Sequence, residues 1–72
     1  MEAISIDSPR VLGPVIRRRR KELGLNQTEL AEVARTSLRF VSELERGKPT
    51  AQLDGVLRVL AALGIRLEAS IR

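Results

Sequence analysis

The side chains able to do chemistry in this sequence are nearly all charged. Lysine and arginine number 13 against 9 aspartates and glutamates, a net charge of +4, and histidine, cysteine, tyrosine and tryptophan are absent. Catalysis would have to rest on carboxylates, serines and lysines, and no paired-acid motif or glycine-rich phosphate loop organises them, so an enzyme is not expected. Without cysteine or histidine there is no disulfide and no zinc set; no metal or cofactor is expected, and a reducing cytoplasm fits. The arginine excess suits phosphate contact as well as a solvated surface. Arg17 to Lys21 is an unbroken basic run, but at about 100° per helical residue its members cannot share one face. The single aromatic, Phe40, argues against stacking on single-stranded nucleic acid, which uses several rings.

The elements that must position these groups centre on Asn26 to Gly47, NQTELAEVARTSLRFVSELERG. Asn26 can cap a helix beginning at Gln27, with Glu29 three positions on to complete a capping box. Leu30, Ala31 and Ala34 form its inward face. Ser37 offers a second cap, Val41 and Leu44 follow at helical spacing, and Gly47 supplies the stop. Two short helices joined by a tight turn form a helix-turn-helix.

The combination of Gln27-Thr28-Glu29-Leu30-Ala31, Ser37, Val41 and Leu44-Glu45-Arg46-Gly47 resembles the motif of the lambdoid repressor and Cro class, the XRE family. The resemblance runs from Ser8 to Gly64 and implies a mainly α, lambda-repressor-like bundle of about four helices. One position departs from the family pattern. Arg35 stands where glycine is usual, and a left-handed backbone there costs a side-chain-bearing residue roughly 1 kcal/mol or more, so the turn is either strained or reshaped.

Around the motif, residues 1–8 read as an N-terminal arm, with Ile4 and Ile6 alternating as a short strand could. They lack the basic start and apolar run of a signal peptide, and nothing approaches the roughly 20 apolar residues of a membrane span, so a soluble protein is expected. Residues 9–64 make the helical domain. Ser8-Pro9 suits a helix start, yet Pro14 lies deep enough to remove a hydrogen bond, so the first helix either kinks at Gly13-Pro14 or begins there. Val15, Ile16 and Leu23 are its expected inward face, and Gly24 its end. Thr50 can cap a fourth helix with the stripe Leu53, Val56, Leu57, Leu60 and Leu63, weakened at Gly55 and stopped at Gly64. In residues 65–72 the period changes: Ile65, Leu67, Ala69 and Ile71 alternate with polar residues, as in a strand with one dry face. Such a strand pairs either with its copy across a two-fold axis, making a homodimer, or with residues 3–6 of the same chain. A chain of 72 residues buries only about 60% of its unfolded surface, so dimerisation would help.

The Ser-Pro start, the motif, the leucine-rich fourth helix and the alternating tail together resemble HipB-type antitoxins. These are dimers that repress their own operon and bind a toxin kinase of the HipA type. A stand-alone or phage-type regulator is the alternative, and a protein-interaction module that has lost DNA contact is the other. In the resembled fold, the second helix of the motif enters the major groove by its N-terminal residues. That makes Ser37, Leu38, Arg39, Phe40 and Ser42 the base-reading candidates, and Gln27, Thr28 and Lys48 the backbone contacts on double-stranded operator DNA. Arg39 matches O6 and N7 of guanine, with phosphate as its other target. Leu38 could meet only a thymine methyl or groove shape; Phe40 meets a thymine methyl or packs on the neighbouring helix; Glu43 accepts from cytosine or repels phosphate. Arg20 and Glu45 are implied as an internal ion pair. A dimer would set its two reading helices roughly 34–36 Å apart, on a palindromic operator.

Overall fold

A computed structural model describes residues 2–72; Met1, part of the expected arm, lies outside the described residues. Four helices form among the described residues, as the resemblance implies: α1 over Pro9–Glu22, α2 over Gln27–Ala34, α3 over Leu38–Glu45 and α4 over Leu53–Ala62. Ile16 of α1, Leu30 of α2, Val41 of α3 and Val59 of α4, with Leu63 just beyond, are fully buried and meet at the centre. Ala31 and Ala34 are also buried, and their small side chains let α2 lie close to its neighbours.

Each helix ends in the same hydrogen-bond pattern. The N–H groups of Gly24 and Leu25 donate to Lys21 and Arg20, those of Gly47 and Lys48 to Leu44 and Glu43, and those of Gly64 and Ile65 to Ala61 and Leu60. Arg35 and Thr36 repeat it on Glu32 and Ala31, with Thr36 N–H to the Ala31 oxygen at 2.9 Å. This is the Schellman closure, which needs a left-handed residue at the reversal. Three of the four are glycine, and Arg35 adopts φ 58° and ψ 50°. The turn of the motif is thus kept in its usual shape and strained, rather than reshaped.

Arginines reinforce two of these ends. Arg58 Nε donates to the Ala34 carbonyl at 3.1 Å, and Arg19 Nε to the Leu63 carbonyl at 2.9 Å. Each guanidinium places positive charge at the negative end of a helix dipole while tying two elements together.

Several expectations are corrected by the packing. The first helix begins at Pro9 and runs through Pro14, whose ring lies on the exposed side, so it does not start at Pro14. Leu23 is exposed, and Leu12 instead packs against the core. On α4 the buried face is Val56, Val59, Leu60 and Leu63, while Leu53 and Leu57 are exposed. The leucine stripe runs one edge too far round the helix, and Val59 completes the i, i+3, i+4, i+7 face. Thr50 does not cap α4, which starts after Gln52 with no side-chain cap.

The tail carries no strand ladder within the chain, either with residues 3–6 or elsewhere among the described residues. Ile65 packs against the core, whereas Leu67 and Ile71 are exposed. The intrachain pairing is therefore absent. No helix among the described residues is long and apolar enough to cross a membrane.

Replacing Arg35 by glycine relieves the one left-handed side-chain-bearing residue among the described residues. Stability is expected to rise by roughly 1 kcal/mol, or about 4–8 °C in Tm for a domain of this size. Thermal unfolding checks this, and an unchanged or lower Tm would show that the Arg35 side chain offsets its backbone strain.

Candidate nucleic-acid interface

The helix expected to read DNA is fixed to the rest of the fold at its C-terminal end. Gly13 of α1 lies so close to α3 that a Cβ there would stand 2.5 Å from the Glu45 carbonyl oxygen, so the two helices touch backbone to backbone. Just along α1, Arg20 grips the Glu45 carboxylate with two hydrogen bonds, Nε to Oε2 at 2.6 Å and Nη2 to Oε1 at 3.0 Å. Its Nη1 donates to the Leu25 carbonyl at 2.9 Å, and Gln27 Nε2 donates to Glu45 Oε1 at 3.1 Å. Four segments therefore converge on one ion pair: α1, the loop after it, the start of α2 and the end of α3.

Both charges are buried, with Glu45 and Arg20 each 8% exposed. Taking two ions out of water is costly, and the penalty is offset only when the remaining donors and acceptors are met. Here they are: no buried side-chain nitrogen or oxygen among the described residues lacks a partner. Burial pushes the Glu45 carboxyl up, but the hydrogen bonds from Arg20 and Gln27 and the arginine charge outweigh it and hold the group below the usual carboxylate range. Arg20 is raised in turn, chiefly by its hydrogen bond to Glu45.

The opposite end of α3 faces outward. Ser37 Oγ accepts from the Phe40 N–H at 3.0 Å and so caps the helix. Leu38 is 49% exposed, and the Arg39 side chain is 84% exposed. Ser42 is half-buried one turn on. The α2 N-terminus lies on Asn26, whose side chain accepts from Glu29 N–H at 2.7 Å while Glu29 Oε1 receives the Asn26 N–H at 2.9 Å. Thr28 is exposed beside it, and Gln27 is half-buried through its bond to Glu45.

Phe40 takes the packing role. Its ring lies on α4, so close to Gly55 that a Cβ there would be 2.6 Å from Cζ. The glycine that weakens α4 thus makes room for the aromatic ring. Within the basic run, Arg19 and Arg20 are bound into the fold, Arg18 pairs with Glu2 and Glu22, and Arg17 and Lys21 are exposed. Sequence reasoning missed that Glu43 joins two candidates: its Oε2 accepts from Lys48 Nζ at 2.9 Å and from Arg39 Nε at 3.5 Å. The i, i+4 spacing of Arg39 and Glu43 was a signal for half of this; Lys48 reaches it only through the turn at Gly47.

Residues 16–69 match the family described as Helix-turn-helix. The chain is 49% identical over 63 residues to an uncharacterized HTH-type transcriptional regulator, y4mF, of Sinorhizobium fredii, covering 88% of this chain and 83% of that protein. Among solved structures it is similar to HipB in its O4 20mer complex, with a TM-score of 0.86 at 22% identity over 96% of this chain and 97% of that one. At that identity the likeness is one of fold. It is also similar to the clp gene regulator ClgR of C. glutamicum, with a TM-score of 0.72 at 34% identity over 86% of this chain and 80% of that one.

The depressed Glu45 sets an acid limit on the joint. As pH falls, the unfolded chain takes up this proton first, near the ordinary glutamate value of about 4.3, so the stabilisation is complete above that value and is lost as pH passes through the lower folded value. Denaturant unfolding across pH is expected to show Glu45→Gln less stable than the parent at pH 7 and losing less between about pH 5 and 2. Glu43 and Asp54, also lowered through Lys48 and Arg58, act in both proteins and cancel in the comparison. Equal losses would show that Glu45 is not the group that titrates.

Proposed function

The chain belongs to the helix-turn-helix family, and from that premise we propose that it is a transcriptional repressor binding double-stranded operator DNA in a sequence-specific way. The family is one of non-enzymatic DNA-binding proteins. The observation that carries the proposal is the asymmetry of α3: its end is locked by Arg20 and Glu45, while Ser37, Leu38 and Arg39 at its start are exposed. A recognition helix needs both features, a rigid mount and free side chains at the groove.

In this reading Arg39 donates to O6 and N7 of a guanine, worth about 1–3 kcal/mol of discrimination against other bases. Ser37 and Ser42 supply hydroxyls to base edges, and Leu38 fits against a thymine methyl. Phe40 acts behind them as packing. Thr28, the Gln27 amide and Lys48 hold phosphates, with the start of α2 adding the positive end of its dipole.

The repressor acts as a homodimer whose tails pair through Ile65, Leu67, Ala69 and Ile71 as antiparallel strands. Exposure of Leu67 and Ile71 in the single chain supports this, since a two-fold partner would cover both and meet the open backbone. Residues 1–8 then serve as an arm, 9–64 as the DNA-binding domain and 65–72 as the dimerisation strand.

The finer role proposed is that of an antitoxin partnered by a HipA-type toxin kinase, supported by the likeness in fold to HipB over 96% of the chain. The 34% identity to ClgR favours a second reading, a regulator without a toxin partner. A kinase-like product of the neighbouring gene that co-purifies with this protein supports the antitoxin; failure of the two to associate favours the second.

Fluorescence anisotropy with duplex from upstream of its own gene, against a shuffled duplex, tests the repressor. Preferential binding by two chains per duplex is expected, and Arg39→Ala should reduce it by about 10- to 100-fold on the upstream duplex, in line with a lost bidentate base contact. Equal, weak binding to both duplexes that vanishes in modest salt would leave only counterion-driven attraction and overturn the proposal.

A further inference from the structure

Glu43 lies in the middle of the surface assigned to DNA and has the wrong sign for it. One of its oxygens, Oε2, receives both Lys48 Nζ at 2.9 Å and Arg39 Nε at 3.5 Å, so a proposed phosphate contact and the proposed base reader share one anion. The backbone imposes this. Arg39 and Glu43 are one turn apart on α3, and Gly47 at φ +81° reverses the chain so that the Lys48 N–H bonds the Glu43 carbonyl at 3.1 Å.

The two contacts are unequal. Lys48 is close, whereas Arg39 is held at the edge of hydrogen-bond range with its side chain almost wholly in solvent. Its order along the helix, cation before anion, is also the weaker one for an i, i+4 pair. Arg39 is therefore easy to release, and Lys48 is the more firmly covered.

Non-specific affinity comes almost entirely from cations that replace counterions on phosphates. A carboxylate that neutralises such cations lowers it. Specific affinity also contains hydrogen bonds to base edges, which Glu43 does not compete for once Arg39 has swung away.

We propose that Glu43 is a specificity-determining residue of this surface: it screens Lys48 and Arg39 from indiscriminate phosphate contact and yields Arg39 to a base that offers two acceptors. The proposal rests on the DNA-binding reading above. It assigns Glu43 to the free state and to wrong sequences, in place of a direct contact to cytosine.

The test is Glu43→Gln, which keeps the shape and removes the charge, measured by anisotropy on the upstream and shuffled duplexes over a range of salt. The variant is expected to bind the shuffled duplex more tightly and to lose preference for the upstream one. Its salt slope should steepen by about 0.9 per protomer, the share of one phosphate contact, or about 1.8 for the dimer, so that its advantage grows about 12-fold between roughly 200 and 50 mM salt. Glu43→Asp, which keeps the charge, should retain the parent slope. Weaker binding by Glu43→Gln on the upstream duplex alone would make Glu43 a base contact and overturn the proposal; so would an unchanged slope. Because the slope is read on the shuffled duplex, it tests the screening even if the parent shows no sequence preference, an outcome that would sink the repressor reading by itself.

Discussion

The buried pair between Arg20 and Glu45 is the constraint on which the rest of the fold depends. It joins α1 to the end of α3 at the place where Gly13 lets their backbones touch, and it recruits Gln27 at the start of α2 and the carbonyl of Leu25. A small helical domain could have filled this space with apolar side chains, and such replacements are often neutral or stabilising. The ionic version adds direction. A bidentate guanidinium and carboxylate fit in one orientation, so the azimuth of α3, and with it the side chains at its far end, is set as well as its position. Losing one partner would leave the other charge buried, at a cost of about 3–5 kcal/mol, a large part of the stability of a domain this size.

The basic excess is less available to DNA than its number suggests. Arg19, Arg20 and Arg58 are committed to helix ends and the internal pair, and Arg18 is engaged with glutamates. What remains near the motif is a small set, and Glu43 partly neutralises two of its members. In the proposed reading, a surface so restrained would bind DNA generally with little force, and each contact at the start of α3 would matter more to the choice of sequence.

The motif was legible in the sequence because its signals are local: Asn26 with Glu29, Ser37 as a cap, Gly47 as a stop, and small residues where helices cross. The ion pair was legible only through resemblance, since 25 residues separate its partners. On the fourth helix, leucine is a poorer guide to the buried face than valine; Val59 is fully buried while Leu53 and Leu57 remain outside. Phe40 can be read two ways until α4 is in place, for the gap at Gly55 that receives its ring is a tertiary feature. The tail shows the same limit from the other side, as alternation marks a dry face without naming what covers it. The missing glycine flags Arg35, but whether the turn keeps its shape depends on the Schellman bonds around it.

The most direct measurement of the central claim is an amide chemical-shift titration of the isotope-labelled protein with duplex from upstream of its gene. If the locked end of α3 serves to present its start to the groove, the largest changes will fall on Gln27, Thr28, Ser37, Leu38, Arg39, Ser42 and Lys48, with the amides around Arg20 and Glu45 nearly still. Changes concentrated on Leu53, Leu57 and the tail, with the start of α3 unmoved, would contradict that role for the motif.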